Sequence, residues 1–186
     1  MDRKRERALI QGAKAGDKRA FAALYRAYVD KIYRYVFYRV SAPEIAEDIT
    51  SEVFLRMVES LPTYEDRSIP LLVWLYRIAH ARVIDHYRRT QRHGQTEDID
   101  KVEIGVDLDL DSPLLAAYQS EQVQKAIHTL TDGQKQVIIL RFIEGYNLEN
   151  TARIMNKTID AVKAMQYRAL QAIAQSLKEQ GYQNEE

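Results

Sequence analysis

An all-α fold in two small helical domains is what this sequence predicts, and three observations carry the prediction. Apolar residues recur at steps of three and four through most of the chain, alternation typical of strands is absent, and an acidic stretch poor in large apolar residues separates two periodic regions. At 186 residues the chain is long enough for two such domains or for one larger core.

The elements follow in order. Phe21, Leu24, Tyr28, Ile32 and Val36 place one stripe on a helix. Ala42-Pro43 breaks it, and Ile45, Ile49, Val53 and Met57 build a second stripe up to Leu61-Pro62. A polar loop, TYEDRS, precedes a third long helix from Leu71 to about Arg92, with Trp74, Leu75, Ile78 and Ala79 facing inward at its start. The run 94–112 reads as a flexible acidic linker, because its few aliphatics cannot easily cover a core. Ser112-Pro113 then supplies an N-cap and a first-turn proline for a helix reaching Thr129. Thr131 and Gln134 fit a capping box that opens a helix closed by Gly145. Asn147 caps a short helix from Leu148 to Met155, Asn156 takes the left-handed turn position, and Thr158 caps the last helix. The domain boundaries expected are thus 1–93, 94–112 and 113–180.

The formal net charge is zero, yet the charges are segregated. Residues 1–93 hold 18 Lys and Arg against 12 Asp and Glu, residues 94–119 hold 1 against 7, and residues 120–186 hold 8 against 8. Binding depends on the local field, so the basic N-terminal half keeps a polyanion partner open. With no cysteine there is no disulfide framework and no thiolate metal site. The run MDRKRERALIQGAK lacks the apolar core of a signal peptide and nothing approaches a membrane-spanning length, so a cytoplasmic protein without membrane insertion is expected.

Two helices carry candidate chemistry. The pair 148–155 and 159–177, joined by a turn of about three residues, has helix-turn-helix spacing. On its second helix Val162, Gln166, Ala169, Leu170 and Ile173 point to the bundle, while Asp160, Lys163, Ala164, Tyr167 and Arg168 share the outer face. That face can lie in a major groove, or it can be the solvated side of an ordinary helical hairpin. The helix after Leu71 mixes Arg77, Arg82, Arg88, Arg89 and Arg92 with Trp74, Tyr76 and Tyr87, which suits phosphates and unpaired bases; arginines on a helix also commonly face plain solvent. Catalysis finds no convergent polar site. His80 and His86, the nearest approach to a metal pair, diverge by about 240° around their helix, so no metal, cofactor or enzymatic activity is expected.

Three motifs join these observations. AEDITSEVFLRM, then WLYRIAHARVIDHYRR, then LTDGQKQVIILRFIEGYNLENTARIMNKTIDAVKAMQYRAL, in this order, resemble a bacterial sigma-70 family RNA polymerase sigma factor of the extracytoplasmic-function group, over roughly 21–177. The resemblance implies a factor that binds core RNA polymerase through the β′ clamp helices and the β flap, directs it to promoter DNA and helps melt it. An anti-sigma factor is a possible further partner. Carried over by position, Asp48, Glu52 and Phe54 fall in the segment that docks on the clamp helices. Tyr64, Arg67, Tyr76, Arg77, Arg82, Arg88 and Arg89 fall where the minus-10 element is recognised and opened. Lys157, Thr158, Asp160, Lys163, Ala164, Tyr167 and Arg168 fall on the minus-35 reader. The family often has Asn where Ala81 stands and Arg where Met165 stands, so promoter sequence does not transfer from relatives. The acidic linker, 19 residues from 94 to 112, spans at most roughly 63 Å at about 3.3 Å per residue, enough to connect two separate promoter elements. The resemblance places it in the polymerase cleft, where its carboxylates would stand in for nucleic acid. A stand-alone dimeric helix-turn-helix regulator and a structural helical adaptor are the alternatives. A regulator would bind a palindrome as a symmetric dimer, whereas a sigma factor touches two unlike elements as one monomer.

Overall fold

The computed structural model describes residues 1–65, 69–92 and 121–179, which divide between two compact units, Met1–Val102 and Glu103–Glu186. The described residues contain helices and no strands. The N-terminal unit holds α1 (Arg3–Lys14), α2 (Lys18–Val40), α3 (Pro43–Ser60), a 3-10 turn (Leu61–Thr63) and α4 (Leu71–Arg92). The C-terminal unit holds α5 (Glu121–His128), α6 (Asp132–Ile138), a π-helical turn (Ile139–Ile143), α7 (Leu148–Met155) and α8 (Ile159–Glu179).

Helix α1 was not signalled by the sequence, because its apolar residues are few; Ile10 and Leu9 alone are large. It forms because Asp2 to Lys14 contain no breaker but Gly12, and it packs on α2 with Ile10 buried. Gly12 allows close approach: a Cβ there would lie 3.0 Å from that of Ala20. The buried Glu6 carboxylate accepts a 2.5 Å hydrogen bond from the Tyr28 hydroxyl. Gly16, at φ 86°, makes the reversal into α2, whose first turn is capped by Asp17 accepting from Arg19 N at 2.8 Å.

The stripes of α2, α3 and α4 meet in one core built on Leu24, Ile32, Tyr35, Val36, Ala46, Val53, Met57, Leu71, Leu75, Tyr76, Ala79 and Val83. Each large side chain there contributes about 1.5–3 kcal/mol of transfer free energy. One cation is buried with them. Arg39 donates through Nη1 to the Tyr35 hydroxyl at 2.9 Å and lies 2.7 Å from His80 Nδ1, which therefore accepts. Its backbone carbonyl accepts from the Tyr87 hydroxyl. Burial pushes the Tyr87 phenol above its usual range, with the Arg39 charge opposing, so Tyr87 remains a donor across neutral pH. The end of α2 is thus pinned to α4 at two points about two turns apart.

In the C-terminal unit the capping expectations are met. Gln134 reaches back to Thr131 N at 2.9 Å, Asn147 accepts from Asn150 N at 2.8 Å, and Thr158 Oγ1 accepts from Ala161 N at 3.2 Å. Asn156 stands in the left-handed region at φ 52° and turns the chain between α7 and α8. Val137, Ala152 and Val162 form the centre, with Leu148, Met155 and Met165 packed on them. The expected single helix up to Gly145 is instead two pieces. After Ile138 the ladder widens, with Glu144 N bonding Ile139 O at 2.9 Å and Tyr146 N bonding Leu140 O at 2.9 Å. Arg141 fills the widened turn, donating from Nε to Gln166 Oε1 at 2.9 Å and from Nη1 to the Tyr146 carbonyl. The expected linker, the helix start at Ser112-Pro113 and residues up to 120 lie outside the described residues.

Candidate nucleic-acid and polymerase interfaces

Helix α8 presents the face that the sequence assigns to DNA. Lys157, Thr158, Asp160, Lys163, Ala164, Tyr167 and Arg168 are all exposed. Val162 and Ala169 anchor the opposite side at 0% exposure, so the face is fixed by packing rather than by its own polar contacts. Lys163 Nζ sits 3.7 Å from Asp160 Oδ1, an exposed pair that costs little to open. Tyr167, 63% exposed, is steadied by Gln171, whose Nε2 donates to its hydroxyl at 2.8 Å. Leu170 corrects the sequence assignment: it is 43% exposed and extends the outer face beyond Tyr167 rather than entering the bundle. Met165, by contrast, packs on the core and lies 3.5 Å from where a Cβ of Gly133 would stand.

On the N-terminal unit an open groove of about 570 Å³ runs between the 3-10 turn and α4, lined by Arg56, Thr63, Tyr64, Trp74, Arg77 and Ile78 among others. Trp74 and Tyr64 wall it with ring centroids 4.9 Å apart at 40°. Tyr64 is itself largely covered: its hydroxyl donates to Ile69 O at 2.8 Å and its carbonyl accepts from Lys14 Nζ. It shapes the wall and offers only one edge. Arg77 reaches the groove, while Arg88 and Arg89 are exposed farther along α4. Arg82 lies 3.8 Å from Asp85 in a second, smaller groove of about 170 Å³, which also brings together Asp48, Glu52, His86 and Arg89. Arg67 lies outside the described residues. Tyr76 requires a correction, since it is 0% exposed, with its ring packed edge-on to Tyr35 at 5.0 Å. It supports α4 from beneath and has no face for a base.

Helix α3 carries the third surface. Asp48 and Glu52 are exposed on adjacent turns. Phe54 takes the core position that its residue type equally allows: it is 4% exposed and packs edge-on to Tyr25 at 4.8 Å. The apolar residues actually offered here are Leu55, 61% exposed, and Val58, 49% exposed, neighbours at i and i+3. The sequence carried only a partial signal for them: both fall outside the stripe Ile45, Ile49, Val53, Met57, but so does the buried Phe54.

Residues 24–93 match the model of sigma-70 region 2, and residues 126–175 match sigma-70 region 4. The chain is 31% identical to the ECF RNA polymerase sigma factor SigX of Bacillus subtilis, over 85% of this chain and 84% of that protein. The chain belongs to the ECF sigma factors. It is also 34% identical to the ECF sigma factor BldN of Streptomyces coelicolor over 91% of its own length, while spanning 64% of BldN. Among solved structures, CnrH in complex with the cytosolic domain of CnrY shares the fold at a TM-score of 0.68 and 21% identity, covering 94% of this chain and 98% of that one. RpoE of Bartonella quintana, bound to the anti-sigma factor NepR, does so at 0.63 and 22%, covering 85% and 96%.

A sigma factor binds core RNA polymerase and directs promoter-specific initiation, and this chain carries both family regions for it. The stand-alone dimeric regulator is not favoured, because region 2 has no part in such a protein. No helix among the described residues is long and apolar enough to cross a membrane. The sigma factor's α1 lies before the residues that the region 2 model matches.

Proposed function

We propose that the sigma factor uses three surfaces: α3 for core polymerase, the α4 groove for an unpaired minus-10 base, and the outer face of α8 for the minus-35 element. The observation that carries this reading is the groove, where an indole and a phenol ring stand beside Arg56 and Arg77 in a space of about 570 Å³. Extruding a base costs a few kcal/mol of unstacking, and one base stacked on an aromatic wall returns about 1–3 kcal/mol. Arg77, with Arg88 and Arg89 along the same helix, supplies phosphate contacts for the remainder. Asp48 and Glu52 attract a basic partner helix, and Leu55 and Val58 provide the area to hold it. The corresponding division is 1–93 for polymerase and minus-10, 94–112 for the tether and 113–180 for minus-35. Bond-making chemistry stays with the polymerase, in the cytoplasm. CnrH and RpoE are each seen with a partner that their structures name, and the same three surfaces would be the ones an anti-sigma factor covers here.

Transcription of a randomised promoter library by purified core polymerase, with and without the chain, tests the reading. New start sites that share two separated elements support it; protection of a palindrome by the chain alone, with no new starts, would sink it. Within the selected promoters, Lys163→Ala combined with Arg168→Ala is expected to lower initiation about 10-fold or more while affinity for core is unchanged. Equal loss of both activities would show that α8 serves the fold and not the minus-35 element.

A further inference from the structure

Helix α1 concentrates exposed cations at its N-terminal end. Arg3, Lys4 and Arg5 occupy its first turn and Arg7 follows, at the end where the helix dipole repels cations. All four are exposed, and the one acid inside this run, Glu6, is buried against Tyr28. Lys4, Arg7, Gln11 and Lys14 recur at steps of three, four and three, which puts them along one flank of the helix. The C-terminal end of that flank meets the groove, because Lys14 Nζ donates to the carbonyl of Tyr64, a wall residue. From Lys4 to Lys14 is about 15 Å at 1.5 Å per residue. That length equals the axial rise of about four nucleotides stacked as in a duplex, at about 3.4 Å each, and fewer if the strand is extended.

We propose that α1 is a phosphate rail: the single strand whose base enters the groove continues along the Lys4–Arg7–Lys14 flank, held by Arg3, Lys4 and Arg7. This rests on the groove reading above, and adds to it a binding surface outside both family regions. The helix N-terminus adds its partial positive charge to the same end. The contacts are to backbone, so the rail is indifferent to sequence and sensitive to salt.

The test uses holoenzyme and a promoter taken from the library selection, made as fork-junction DNA with the unpaired strand ending at the captured base or extended by four nucleotides. Wild type is expected to bind the extended fork about 10-fold more tightly. The triple variant Arg3→Gln, Lys4→Gln, Arg7→Gln should lose that gain, and its salt slope on the extended fork should fall by about 2, at roughly 0.7 for each phosphate no longer neutralised. Arg5→Gln is the control, since residue 5 lies about 200° around the helix from residue 7 and should keep the gain. A triple variant that keeps both the gain and the slope overturns the rail. So does one that binds both forks normally but has weaker affinity for core, which would make the flank a polymerase contact. Failure of the groove reading shows separately: Arg77→Ala would then bind the unextended fork as wild type does.

Discussion

Tyr76→Ala is expected to melt the N-terminal unit of this sigma factor and not to weaken base capture selectively. The side chain is completely covered, and its ring lies 5.0 Å from that of Tyr35 on α2. Removing a buried aromatic ring costs about 3–5 kcal/mol, a large share of the 5–15 kcal/mol that holds a domain of this size. At roughly 4–8 °C per kcal/mol, the melting midpoint of the unit should fall by at least about 12 °C. Circular dichroism on melting, alongside binding to fork-junction DNA, separates the possibilities. An unchanged midpoint with lost promoter opening would return Tyr76 to the DNA surface.

The second large effect belongs to the outer face of α3. Leu55→Glu together with Val58→Glu should leave the fold intact, since both side chains already stand in water and glutamate is a good helix former. Against core polymerase the same change removes two apolar contacts, each about 1.5–3 kcal/mol if fully covered, and puts two charges in their place. Affinity for core should fall by about 100-fold or more. Asp48→Asn with Glu52→Gln should act differently, slowing association and flattening its salt dependence, because rim charges chiefly steer encounter. Binding kinetics of core on immobilised sigma factor measure both. Wild-type affinity in the Leu55 and Val58 double variant would move the docking surface off α3.

What the sequence disclosed, and what it hid, follows from the reach of each interaction. The stripes of α2, α3 and α4 were legible because their periodicity is a local property of the chain, as were the caps at Thr131, Asn147 and Thr158. Helix α1 was not, since much of what holds it is long-range: the close approach at Gly12, the bond from Tyr28 to Glu6 and that from Lys14 to the Tyr64 carbonyl. The π turn was hidden for the same reason: Arg141 finds Gln166, twenty-five positions later, and nothing near Ile139 announces it. The site residues divided along one line. Charged candidates, such as Asp48, Arg88, Lys163 and Arg168, could be placed outside from their type alone. Aromatic candidates could not, because a tyrosine or phenylalanine serves a core or a base equally well, and Tyr76 and Phe54 went to the core.

The buried arginine at the end of α2 bears on promoter geometry. Apolar faces slide past one another at little cost, but a guanidinium seated on Tyr35 and His80, with its carbonyl taken by Tyr87, fits α4 in one axial position only. Arg77 and Arg88 are therefore set at a fixed interval of about 16 Å along a helix that cannot shift by a turn. On the proposed reading, such a unit would present its cations to DNA at one fixed setting. Under the proposed reading, a change in the spacing of promoter elements is not taken up by slippage of α4 within the first unit.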